Sequence, residues 1–254
     1  LHAALRSLRS RECGLALVGG VNFICDPRIS LSYHKAGMLS PDGRCKVFDD
    51  AADGYVRAEG AVVVLLKRLS QAVADGDRIH AVIRGSAINH GGQAAGLTVP
   101  NPQQQSALLT SAWRDAGVSP QDISYLEAHG TGTSLGDPIE IEGMQSAFAT
   151  AAPAPAALRC GVGSIKSNLG HLESAAGLAG VLKVVAGMAH RRLPATLHVT
   201  RTNSRMSLEG SPLRIQAAAE DWNLSGPRIA GVSSFGSGGA NAHVVLQDYR
   251  DDAA

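Results

Sequence analysis

Apolar and polar positions alternate along the chain in blocks that change period. Leu1, Leu5 and Leu8 recur at helical spacing with Arg6, Arg9 and Arg11 among them, so the chain opens on a helical stripe with no capping residue before it. Gly14 is expected to end that helix. The continuous apolar run Leu15 to Val21 then predicts a strand buried on both faces, and Gly60 to Leu66 predicts a second. Between them lies a long excursion, 22–57, with a short helix near 29–36 and a turn at Ser40-Pro41-Asp42-Gly43. It is too long for an idle connection and is expected to cover part of an active-site surface. A short helix at Leu69 to Ala74 ends at Asp75-Gly76-Asp77.

From His80 the alternation becomes regular. A strand at 80–89, a Gly- and Asn-rich loop at 90–102 and an amphipathic helix at 103–116 closed by Gly117 come first. A strand at 123–128, a helix at 138–148, an Ala/Pro linker at 151–157, a strand at 160–165 and a helix at 174–190 follow. Two last strands, 228–235 and 242–247, flank Gly236-Ser237-Gly238-Gly239-Ala240-Asn241. Strands alternating with helices imply βαβ units, a mostly parallel sheet and the α/β fold class. The chain is read as two parts, 1–78 and 79–254.

Composition narrows the function classes. With 254 residues and a net charge of +1, the chain can bury a sizeable core and has no electrostatic bias toward nucleic acid or a membrane surface. No apolar run reaches the roughly 20 residues of a spanning helix, and the opening residues are not a signal peptide, so a cytoplasmic location is expected. Cys13, Cys25, Cys45 and Cys160 lack C-x-x-C spacing, which points to reduced, mostly buried thiols and to no metal site. Cys13 and Cys25 are taken as structural.

The chemistry concentrates in two loops of the same kind. The run Ile123 to Leu126 stops at His129, gives way to Gly130-Thr131-Gly132-Thr133 and is followed by Pro138, which can open a helix. The carboxyl end of such a strand is where open α/β sheets bind ligands. A lone His there would as readily be surface decoration. Gly161 to Ile165 ends in the same way, in Lys166-Ser167-Asn168-Leu169-Gly170-His171, before a helix rich in small residues. One parallel sheet would bring His129, Lys166 and His171 to one edge, where two neutral imidazoles could stabilise an oxyanion or enolate. Lys166 would tune them electrostatically. Other chemistries fit less well: the sequence has no H-E-x-x-H, no P-loop, no complete dinucleotide fingerprint and no G-x-S-x-G.

Three segments together resemble the signatures of β-ketoacyl synthases: Glu127 to Thr133, Lys166 to His171, and Ser233-Ser234-Phe235-Gly236 through Asn241-Ala242-His243. Gly37 to Cys45 and Asp53 to Arg57 further resemble ketosynthase domains of modular polyketide synthases. Asn89-His90-Gly91-Gly92 with Val99-Pro100-Asn101-Pro102 is similar to those whose acyltransferase is a separate protein. The resemblance implies a thiolase-like fold, with a complete C-terminal half and the last part of an N-terminal half. It implies decarboxylative Claisen condensation with malonyl-acyl carrier protein in polyketide, and hence antibiotic, biosynthesis.

On that resemblance His129 and His171 would hold the malonyl thioester carbonyl, and Thr131 and Thr133 would bind the phosphopantetheine arm. Lys166, with Asp137, Asn168 and Glu173 in support, would orient and tune the histidines. Phe235, Gly236 and Ser237 belong to a loop that would gate the pocket and offer N–H groups to an oxyanion. No cofactor is bound intrinsically, and the complete domain would be a homodimer serving an acyl carrier protein. The family's nucleophilic cysteine lies just before the helix that opens this chain, so the chain is expected to need a missing N-terminal half and to be inactive alone. Ser237 stands where fatty-acid-type relatives carry a bulky Phe, which gives a wider entrance or is a neutral change. The alternative reading is a non-catalytic structural or docking fragment derived from a ketosynthase, whose exposed core strands would bind a partner.

Overall fold

The computed structural model describes residues 1–93, 96, 99–151 and 160–250. Helix α1 (His2–Arg9) buries Leu5 and Leu8. It stops short of Gly14, because Arg11 already takes the left-handed backbone conformation, φ 63°. Strands β1 (Leu15–Asn22) and β2 (Gly60–Lys67) pair antiparallel as a two-stranded sheet, Leu15 opposite Lys67 and Asn22 opposite Gly60. One face of this sheet packs Val18, Val62 and Val64 on Leu172, Ala175 and Leu178. The other face is open, with Leu17 72% and Leu65 62% exposed. The expectation of burial on both faces therefore holds for one, since no layer of described residues covers the second.

The excursion between these strands holds α2 (Pro27–Lys35), which starts earlier than expected because Asp26 caps it by accepting the Arg28 N–H. Beyond α2 the chain turns inward, burying Cys45, Val47, Phe48 and Tyr55 against the larger core. The Asp49 carboxylate anchors it there by accepting the N–H groups of Thr200 and Arg201 and the Thr200 hydroxyl.

After α3 (Leu69–Ala74) come β3 (Val82–His90), α4 (Pro102–Ala116), β4 (Ile123–Glu127) and α5 (Gly136–Ala151). Then follow β5 (Cys160–Gly163), α6 (Lys166–Leu169), α7 (Ala176–His190), β6 (Arg192–Leu193), β7 (Leu213–Ile215), β8 (Glu220–Asp221), β9 (Ile229–Phe235) and β10 (Ala240–Gln247). Six of these strands form one sheet in the order β3-β10-β9-β4-β5-β7. Strands β9, β4, β5 and β7 run parallel, whereas β10 is antiparallel to both β9 and β3. The sheet is thus mixed, because the short link between β9 and β10 can close only a hairpin. Residues 152–157 of the Ala/Pro linker, and 94, 95, 97 and 98 of the Gly- and Asn-rich loop, lie outside the described residues.

Both faces of the large sheet are covered. On one, Trp113 of α4 meets Phe148 of α5 edge-on at 5.1 Å, over Ile123, Leu126 and Val245. On the other, Val181, Val184 and Met188 of α7 lie against Tyr125, Ala230 and Val232. Helix α4 is closed at both ends: the Asn101 side chain accepts the N–H groups of Gln103 and Gln104, and Gly117 takes the left-handed conformation. Among the described residues no helix is long and apolar enough to cross a membrane. The thiol expectation needs one correction: Cys45 and Cys160 are buried, but Cys25 is exposed, since the face of β1 and α2 beside it is open.

Candidate active site

Parallel strands end at the same edge, and β4, β5 and β9 deliver their loops together. The His129 and His171 ring centroids stand 5.4 Å apart at 80°, and Phe235 lies 5.5 Å from His129. All three line a cavity of about 400 Å³ together with Asn89, Ser234, Gly236 and Asn241. Lys166 lies beneath, fully covered, its ammonium donating to the His129 carbonyl.

Main-chain groups decide the state of each imidazole. The Phe235 N–H donates to His129 Nδ1 at 3.3 Å, and the Glu173 N–H donates to His171 Nδ1 at 2.8 Å. A peptide N–H can only donate, so each Nδ1 is an acceptor and each neutral ring carries its proton on Nε2. Both rings are kept neutral. Burial, then the Lys166 charge and the His171 ring, pull His129 well below the usual histidine range. Burial and Lys166 pull His171 to about 3. The site therefore holds two Nε2–H donors on one cavity.

The His129 loop keeps its shape through buried carboxylates. Glu140 of α5 accepts the His129 N–H at 2.7 Å and the Gly130 N–H at 2.8 Å. Asp137 accepts the Gly132 N–H at 3.1 Å and the Phe48 N–H at 2.8 Å. Burial pushes Asp137 up to about 6 and Glu140 to about 7 despite these bonds. Burial also lowers the Lys166 ammonium, against the opposing charges of Glu127 and Glu140. Gly130 needs its missing side chain: at φ 38° an added Cβ would lie 2.8 Å from Ser164 Cβ. His171 is pinned from the other side, where its N–H donates to the Val56 carbonyl at 2.7 Å and its own carbonyl accepts from Ala58 at 3.0 Å.

Other residues singled out by sequence fall less centrally. The Thr131 and Thr133 hydroxyls stand 3.5 Å apart, and Thr133 Oγ1 accepts the Gly136 N–H at the start of α5. Phe235 and Gly236 line the cavity, whereas Ser237 is exposed at the loop tip. Asn168 is exposed and accepts only the Ser167 hydroxyl among the described groups. Glu173 meets His171 through its main-chain N–H, while its carboxylate pairs with Arg57 at 2.6 Å. The expected oxyanion donors are also partly spent, because the Gly236 N–H bonds Ala240 and the Gly239 N–H bonds Gly236. Sequence reasoning missed Glu140, although it lies one helical turn beyond Asp137 and so shares its face.

Comparison with known proteins finds similarity along most of the chain. A family profile described as "Beta-ketoacyl synthase, C-terminal domain" matches residues 80–200, and "Beta-ketoacyl synthase, N-terminal domain" matches 1–72. Polyketide synthase ThaG of Burkholderia thailandensis is 51% identical over 99% of this chain, which spans 4% of that protein. Polyketide synthase PksN of Bacillus subtilis is 46% identical over 100% of the chain, which spans 5% of it. Among solved structures, the oxazolomycin ketosynthase domain OzmH KS7 of Streptomyces albus JA3453 superposes with TM-score 0.95 at 46% identity. All of this chain is covered there, against 45% of that one. The ketosynthase from module 6 of the bacillaene synthase of Bacillus subtilis gives 0.94 at 44% identity, over 98% of this chain and 45% of its own.

Proposed function

The chain belongs to the β-ketoacyl synthase family, with the thiolase-like fold of ketosynthase domains, and from that premise we propose that it serves decarboxylative condensation in a polyketide synthase. The observation that carries the proposal is the pair of neutral histidines whose main-chain partners leave both Nε2–H groups as donors on one cavity. A malonyl thioester loses its carboxylate as CO₂, and the electron pair of the broken C–C bond becomes an enolate. His129 and His171 donate to the enolate oxygen, a stabilisation of a few kcal/mol per donor. The carbanion carbon then attacks an acyl thioester on a cysteine, whose thiolate leaves as the new C–C bond forms.

That cysteine belongs, in this proposal, to an N-terminal half outside the given sequence, with residues 1–78 as the end of that half and 79–254 as the C-terminal half. The two substrates arrive on the phosphopantetheine arm of an acyl carrier protein, which Thr131 and Thr133 hydrogen-bond. Lys166 keeps the histidines neutral, Asp137 shapes their loop, and Phe235 to Ser237 form the entrance. The complete domain acts as a cytoplasmic homodimer without a metal or resident cofactor. The motifs Asn89 to Gly92 and Val99 to Pro102 support the type served by a separate acyltransferase.

The test is CO₂ release from a malonyl-pantetheine thioester by a ketosynthase-length protein that carries this chain. His129→Ala and His171→Ala are each expected to lower the rate roughly 100- to 1,000-fold. Parent-like rates in both variants would remove the histidines from the reaction.

A further inference from the structure

Behind the histidines lies a second buried polar cluster. Glu127, the last residue of β4 and 1% exposed, points away from the cavity toward α7. Its Oε2 accepts from the Lys183 ammonium at 2.7 Å and from the Tyr125 hydroxyl at 2.8 Å. Lys183 also donates to the Tyr125 hydroxyl at 2.8 Å and sits over the Tyr125 ring, 5.4 Å from its centroid. The remaining oxygen, Oε1, accepts the N–H of Ile165 at 2.6 Å. The surroundings leave no slack: a Cβ added at Gly180 of α7 would lie 3.1 Å from Glu127 Cγ, and one at Gly163 would lie 2.5 Å from the Tyr125 oxygen.

A buried ion pair gains little net stability, because desolvation offsets its attraction. Its value here lies in where the ends attach. Glu127 ends β4 two residues before His129, and Ile165 directly precedes Lys166 on the neighbouring loop. We infer that Glu127 is a positioning residue for the reaction: its carboxylate, clamped by Lys183 and Tyr125, ties the strand end that carries His129 to the loop that carries Lys166 and His171. The inference rests on the histidine reading proposed above and adds what fixes the distance between the two rings. Misplacement of a reacting group by an ångström costs up to about 100-fold in rate.

The tether can be cut from either end. Glu127→Leu with Lys183→Met removes both charges together, avoiding an orphaned ion, and takes away the acceptor. Ile165→Pro removes the donor and leaves the Glu127–Lys183 pair intact, at the cost of a half-buried side chain, and the backbone there already has φ −64°, the angle proline imposes. Glu127→Gln with Lys183→Met keeps an acceptor oxygen and serves as the conservative rescue. In the ketosynthase-length protein, both cuts are expected to lower kcat for malonyl-thioester decarboxylation roughly 100-fold with KM little changed. They are also expected to shift the ring ¹⁵N resonances of His129 and His171, while the Gln/Met variant keeps parent kinetics and spectra. Parent-like ring resonances in both cut variants, or a Gln/Met variant as impaired as the Leu/Met one, would overturn the inference. If the parent itself releases no CO₂, the functional proposal fails and the ring resonances alone decide the tether.

Discussion

Strands β1 and β9 are both short apolar runs, and they end in opposite circumstances. Ile229 to Ser233 of β9 are buried without interruption, between parallel β4 on one side and β10 on the other. In β1 burial alternates residue by residue, and the outward positions include Leu17 and Val21, both more than half exposed. Apolar character along a strand says that it can be buried on two faces; neighbouring layers decide whether it is. The six-stranded sheet has helices on both faces and a site at its edge. The two-stranded sheet has one covered face, and its open face exposes Leu15, Leu17, Val21, Val63 and Leu65 together.

The sharpest way to break this contrast is truncation. In the chain as given, Leu126→Ala in β4 is expected to cost about 2–5 kcal/mol, and Leu17→Ala in β1 no more than about 0.5 kcal/mol, by urea denaturation. Equal losses would mean that the outer face of β1 is already packed. A second expected effect is one of pH, carried by groups of the six-stranded sheet and its loops. His171 and His243 are buried, with pKa values drawn from 6.5 to about 3, so below 6.5 the unfolded chain binds protons that the folded one does not. Stability then falls as pH drops, by about 1.4 kcal/mol per unit for each ring. Asp137 and Glu140, raised to about 6 and about 7, act in the opposite sense and lose stability as pH rises toward those values. With His129 also held well below 6.5, three imidazoles stand against two carboxylates between about pH 4.5 and 6, so stability falls gently there as pH drops and steeply below about pH 4. A stability curve flat from pH 5 to 3 would contradict the burial of these rings. The smallest expected change in stability comes from Leu17→Lys with Leu65→Asp, which sets opposite charges on directly paired positions. Within this chain it should leave the denaturation midpoint nearly unmoved while reducing self-association in sedimentation velocity. Unchanged association would show that the open face is not adhesive.

Much of the site was legible because its residues are close in sequence to strand ends. His129, Lys166 and His171 could be gathered at one edge from periodicity alone, since parallel neighbours must finish together. Elements with regular patterns were equally readable, as with the helix ending at Gly117. The pairing of Glu173 was not, because Arg57 lies 116 residues away and nothing local marks it. Strands β6, β7 and β8 escaped as well. They are two or three residues long, too short to display a period. The Glu127–Lys183 pair was hidden for a similar reason: a charged residue in a strand and one in a helix read as surface until the layers are stacked.

The acceptors on both imidazoles are served by peptide N–H groups, at residues 173 and 235, and that has a consequence for how such a site changes over generations. A codon change at either position replaces a side chain and leaves the donor in place, proline alone excepted. Drift in the surrounding loops can therefore remodel the entrance and the pocket wall while the tautomers stay as they are. A lineage built on this arrangement is free to diversify what it accepts without reinventing how it handles protons.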